Sequence, residues 1–170
     1  PTRRSSDLLD SVLQTPFNWT GNLANFSDVT SISLGSTTKG KHFIEIWLSD
    51  VNGIGIDNNQ YNDTIISDFF ACGAPLAGTY TVGDSASDYL TIDDALYELS
   101  QCGVSAPVTF NIATGTYSTF NVYGNIPGAS TINTITFTSA TGNADDVEFV
   151  AMTGDTALVL NNAAHLRFTN

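Results

Sequence analysis

From residue 107 onward the chain is a succession of short β-like runs: "PVTFNI" (107–112), "TFNVYG" (119–124), "NTITFTS" (133–139), "DVEFVA" (146–151), "TALVLNN" (156–162) and "AHLRFTN" (164–170). Gly, Asn and Asp stand at the corners between them, residues that accept the backbone conformations of tight turns. No run is long enough to form a core alone, so each must be covered by the others. The first, third and sixth runs begin 26 and 31 residues apart. That spacing suits the stacked coils of a solenoid, although a second β-sandwich would look similar.

Ahead of these runs, after a strand-like segment at 78–82, comes "LTIDDALYELSQCG" (90–103), the only stretch that reads as a good helix. Thr91 and Asp94 have the spacing of a capping box, Ile92, Ala95, Leu96 and Leu99 fall at i, i+3, i+4 and i+7, and Gly103 supplies the stop. The pattern predicts a helix over about 91–102. Ile92, Leu96 and Leu99 would face the first rung of strands, and Asp93, Asp94, Glu98 and Gln101 would face water. A solenoid stacks its apolar interior coil on coil, so its first coil is open unless a polar-backed element covers it. A single amphipathic helix suits that task and also shields strand edges from other chains.

Residues 9–72 read as the later strands of a β-sandwich, with runs at 29–35, 41–49 and 62–70 separated by turn-rich segments. In the second run Phe43, Glu45 and Trp47 alternate with Ile44, Ile46 and Leu48, so both faces are largely apolar and the strand is expected to be central. "TTKGK" reads as a hairpin turn. "ACGAPLAGTY" breaks any continuing strand with Gly73, Pro75 and Gly78, which places a connector at 73–78 and a second unit at 79–170. The fold class is therefore all-β with one helix. The first eight residues, "PTRRSSDL", equal the translation of a common short-read sequencing adapter. We set 1–8 aside as an artefact; the other reading is a short basic arm. On the first reading the natural protein starts upstream; separately, the chain stops at "HLRFTN", a β-like run with no terminator, so a further C-terminal part is expected.

Only 13% of residues are charged, and the formal charge is -12 with a pI near 4.1. Such a surface repels phosphate backbones and anionic lipid, which disfavours nucleic-acid and membrane-surface partners. No apolar run approaches the length of a bilayer span.

Two resemblances add to this. The strand-loop-strand order ending in "NDT" (Asn62-Asp63-Thr64) resembles the C-terminal half of Ig-like or CARDB-like adhesion modules of bacterial surface proteins, over about 45 residues. From residue 76 to 170, the series "GTYTVG", the helix, "CGVS.PVTFN", "GTY" and "PGAS" is similar to the start of the right-handed parallel β-helix in very large secreted surface proteins of gliding bacteria that use type IX secretion. The resemblance implies an extracellular or cell-surface location and a partial Ig-like sandwich followed by the capped opening coils of a β-helix. In an exported protein an even cysteine count favours a disulfide, here Cys72 to Cys102; the alternative is two free, partly buried thiols. Neither cysteine has a basic neighbour in sequence to activate it as a nucleophile.

Asp50, Asn52, Asp57, Asn58, Asn59 and Asp63 offer hard oxygen ligands suited to calcium, though "DVNGIG" departs from the EF-hand order and the same residues make ordinary solvated loops. No other cofactor is expected. Asp145 and Asp146 read as a rung corner. His42 and His165 are isolated and expected within or beside strands. The sequons at Asn18, Asn25 and Asn62 carry little weight in a bacterial protein.

These readings lead to a non-enzymatic structural or adhesion segment, with glycans or other surface proteins as partners and the oligomeric state open. A polysaccharide lyase would need a base and cations or calcium against a sugar carboxylate, yet from residue 76 on Arg167 and His165 are the only basic side chains. A hydrolase would need two carboxylates across a cleft, for which Asp146 and Glu148 are the candidates. In a carbohydrate-binding module without chemistry, Tyr117, Phe120 and Tyr123 would form a stacking platform, or else belong to the core.

Overall fold

The computed structural model describes residues 2–20, 36–49, 64–151 and 156–170. The chain divides into two units, Pro1–Ala71 and Cys72–Asn170, and both are built of strands. The first unit is an antiparallel sheet of β1 (Thr2–Leu9), β2 (Val12–Leu13), β3 (Phe17–Thr20), β4 (Gly40–Ser49) and β5 (Thr64–Ala71), in the order β2-β1-β4-β5 with β3 also on β1. β4 is flanked by β1 and β5, the central place its two apolar faces predict. Residues 1–8, set aside on sequence grounds, supply most of β1, whose Arg4–Leu9 segment pairs with β4. The run at 29–35 and the loop at 50–63 lie outside the described residues.

β1 and β2 are joined by Asp10 and Ser11 at φ 51° and 68°. Two left-handed residues make the turn whose twist matches a hairpin, and Asp tolerates that conformation better than most side chains.

Among the described residues of the second unit every strand pairing is parallel. β6 (Leu76–Val82), β7 (Val104–Ile112), β10 (Ile135–Ser139) and β13 (Leu166–Thr169) form one ladder, β8 (Gly115–Tyr117) and β11 (Val147–Phe149) a second, and β9 (Phe120–Tyr123) and β12 (Leu158–Asn161) a third. From β7 the chain visits first, second and third ladder, repeats that order, and returns to the first at β13. β6 begins inside the segment read as a connector, because Leu76 is buried and its N–H donates to Gly103 O at 2.9 Å. The motif "GTY" (115–117) is itself a strand, β8.

In-register pairing puts like residues above one another. Val108, Ile135 and Leu166 align, as do Phe110, Phe137 and Phe168. The Phe110 and Phe137 rings lie 5.0 Å apart with 14° between their planes, and Phe137 and Phe168 5.6 Å apart with 19°. Tyr80 extends the pile from β6, 5.8 Å from Phe110. Phe120, from the third ladder, meets Phe137 edge-on at 4.8 Å, so the ladders enclose one aromatic core. Offset and edge-on rings add to what area burial alone supplies.

Helix α1 (Ile92–Cys102) begins at Thr91, whose hydroxyl accepts from Asp94 N–H while the Asp94 carboxylate accepts from Thr91 N–H. This is the capping box the sequence shows. Ile92, Ala95 and Leu99 join the core, and α1 packs on β6 and β9, the first strands of their ladders. Burying Ile92 and Leu99 stabilises by about 1.5–3 kcal/mol each relative to exposure. One assignment needs correction: Glu98, expected in water, is 4% exposed. It follows the buried stripe because the Tyr89 hydroxyl reaches it, donating to Oε2 at 3.1 Å.

The motif pieces "CGVS" and "PGAS" meet in space. Val104 N–H donates to Pro127 O at 2.9 Å. Gly128, at φ 78°, comes so close that a Cβ there would lie 2.0 Å from Val104 O. Only glycine fits such an approach.

Candidate functional site

A groove of about 280 Å³ runs between α1 and β9. Asp93, Tyr97 and Ser100 line its helical wall at i, i+4 and i+7, a stripe beside the buried one. Asn121 and Tyr123 of β9, then Asn125, line the other wall, and Leu96, Leu99, Val122 and Ile126 complete the lining. Alternation along β9 turns Phe120 and Val122 into the core and leaves Asn121 and Tyr123 on the opposite face. Tyr97 is 39% and Tyr123 67% exposed. The Asn121 Oδ1 is buried and has no hydrogen-bond partner, which is costly for a carbonyl oxygen. Of the polar and aromatic residues among these, the sequence singled out Asp93 as solvent-facing and Tyr123 as part of a stacking platform. Tyr97, Ser100, Asn121 and Asn125 escaped notice, although the helical spacing of Asp93, Tyr97 and Ser100 was there to be read.

The stacking platform itself does not form. Phe120 is fully buried, and the Tyr117 hydroxyl donates to Ala113 O at 2.7 Å, so only Tyr123 of the three stands on the surface. Burial, with the Asp84 charge adding to it, raises the Tyr117 phenol above its ordinary value. Desolvation likewise raises Tyr89, followed by the charge of Glu98 and their hydrogen bond.

The carboxylates weighed for hydrolysis have different tasks. Asp146 lies in a 3-10 turn (Ala144–Asp146), not in a strand, and accepts from Thr141 Oγ1 and, at 3.1 Å, Asn143 Nδ2. Glu148 is exposed on β11. Asp145 belongs to the same turn, the corner its sequence position suggests. The calcium candidates Asp50, Asn52, Asp57, Asn58, Asn59 and Asp63 lie outside the described residues.

Cys72 and Cys102 form a disulfide with Cα atoms 5.5 Å apart, within the second unit. It ties the segment before β6 to the end of α1. Both of the chain's cysteines are thereby used, leaving no thiol as a nucleophile.

His42, expected within or beside a strand, lies in β4, buried and bound. Its Nδ1 is 2.6 Å from Asp10 Oδ2, its Nε2 is 2.7 Å from Thr38 O, and Thr37 Oγ1 is 3.1 Å from Nε2. The group has the membership of an Asp-His-hydroxyl triad but not its chemistry. A carbonyl and a carboxylate only accept, so the protonated ring donates from both nitrogens and in that form has no lone pair to take a proton from Thr37. The Asp10 hydrogen bond, then that to Thr38 O, raises the His42 pKa. The Phe43 N–H, donating to Oδ1 at 2.9 Å, and then His42 lower that of Asp10. The cluster locks the β1–β2 turn onto β4. His165, in the turn before β13, has φ 63° and its carbonyl accepts from Ile135 N–H.

Among the described residues no helix is long and apolar enough to cross a membrane. Comparison with protein-family models, with curated proteins and with solved structures finds no significant match.

Proposed function

We propose that residues 72–170 are the opening coils of a right-handed parallel β-helix, capped by α1, and that residues 9–71 belong to an Ig-like module. On this reading the chain is a non-enzymatic structural and adhesive segment of a large secreted or cell-surface multidomain protein of the type IX secretion kind. One observation carries it: parallel ladders entered in a repeating order, with rings piled along the first. Crossovers between parallel strands are right-handed in nearly all proteins, which supports that hand here. A stack in which each coil contacts only its neighbours is a stiff spacer whose outer residues are free to vary. The solitary carboxylate roles of Asp146 and Glu148 and the saturated His42 fit a scaffold better than a catalyst. Protease shaving of intact cells that make the protein tests the location, and peptides from residues 72–170 are expected before lysis. Incubation with pectic, alginate and neutral glycans, with and without calcium, tests the chemistry. Turnover abolished by Asp146→Asn or Glu148→Gln would refute the non-enzymatic reading, and peptides released only after lysis would refute the surface one.

A further inference from the structure

We propose that the groove between α1 and β9 is a binding site for a neutral, hydroxyl-rich ligand of the saccharide class. Three features of the groove converge on that chemistry. Tyr97 and Tyr123 present partly exposed rings from opposite walls, surfaces on which the C–H face of a sugar ring packs. Ser100, Asn121 and Asn125 supply uncharged donors and acceptors, and Asp93 adds an acceptor for ligand hydroxyls. The Asn121 amide also has an unanswered oxygen. It is sealed from solvent in this structure, so the proposal includes a turn of the amide toward the groove on binding, where a ligand hydroxyl completes its bonding.

Charge selects against anionic ligands. From residue 72 to 170 the only Lys or Arg is Arg167, and it is not among the lining residues. A uronic acid or phosphate would therefore meet Asp93 with no cation to offset repulsion. The volume is near the lower end for ligand clefts, which suits a short glycan segment. This site is independent of whether the chain is a surface scaffold, because it rests on the groove alone.

The test uses the full chain with cellobiose, maltose, lactose and N,N′-diacetylchitobiose as neutral probes, digalacturonate as the anionic probe and choline as the cationic one. Saturation-transfer NMR and calorimetry would read binding, and the Asn side-chain amide signals would report Asn121. At least one neutral probe is expected to bind in the millimolar range or tighter and to shift the Asn121 amide. Tyr123→Ala, at an exposed position, is expected to weaken that binding about tenfold with the melting temperature unchanged. Asn121→Leu removes the unanswered oxygen, so it is expected to abolish binding while holding or raising the melting temperature. No neutral probe bound at about 10 mM, preference for digalacturonate or choline, or affinity unchanged in both variants would overturn the proposal.

Discussion

Truncating the stacked rings one at a time should reveal a gradient of stability along the second unit. Phe110 is fully buried, Phe137 is 2% exposed and Phe168 is 44% exposed. A buried Phe removes about 150–250 Å² from water, which at about 25 cal/mol/Å² corresponds to about 4–6 kcal/mol, and measured Phe→Ala costs run about 3–5 kcal/mol. Phe110→Ala leaves a void between Tyr80 and Phe137 that cannot fill easily, so about 4–5 kcal/mol is expected. Phe137→Ala opens toward the half-exposed Phe168, which can settle inward, and about 3–4 kcal/mol is expected. Phe168→Ala should cost about 1–2 kcal/mol, because much of its ring is already in water. The assay is urea unfolding followed by far-UV dichroism. Both tryptophans, Trp19 and Trp47, belong to the first unit, so their fluorescence is an internal control. The Phe110/Phe137 double-mutant cycle should return a coupling of about 0.5–1.5 kcal/mol. Equal costs at all three positions, or a reversed order, would refute the stack as the organising element of this core.

Three further outcomes are expected. Replacing Cys72 and Cys102 by Ser releases a loop spanning a sequence separation of 30, for which the chain-entropy model gives a loss of about 3–4 kcal/mol; alkylation of the unreduced, unfolded wild-type chain should label neither cysteine, and labelling of both would contradict the bond. Gly128→Ala must accommodate both a left-handed backbone and the Val104 carbonyl, and a loss of about 2–5 kcal/mol by thermal unfolding is expected, with a loss under about 1 kcal/mol contradicting the close approach. The Asp10–His42 pair predicts the pH response of the first unit. Asp10, lowered from 3.8, contributes fully above that value and loses its contribution as pH falls through the lower folded value. His42, raised from 6.5, contributes fully below 6.5 and loses its contribution as pH rises through the higher folded value. The pair therefore stabilises most between pH 3.8 and 6.5. Tryptophan-detected melting should fall on both sides of that window in wild type and flatten in His42→Ala; an unchanged profile in the variant would remove the pair as the cause.

What the sequence determined by itself is what depends on near neighbours. The capping box at Thr91 and Asp94, the stop at Gly103, the stripe of Ile92, Ala95 and Leu99, and the alternation inside β7 and β9 follow from backbone sterics and period alone, and all are visible as residue patterns. The Cys72–Cys102 bond was legible because a two-cysteine chain offers a single pairing. Tertiary structure decided whatever depends on partners distant in sequence. Glu98 lies at a position that local pattern assigns to water, and in its buried place the Tyr89 hydroxyl donates to its carboxylate. Phe120 could equally have been a surface ring until Phe137 from another ladder met its edge. His42 is isolated in sequence and gains a carboxylate partner because strand pairing brings Asp10, 32 residues earlier, beside it. The walls of the groove come from a helix and a strand whose residues share no sequence pattern. Periodicity reports which side of an element is apolar; which element covers that side is set by registers and packing formed only when the whole chain closes.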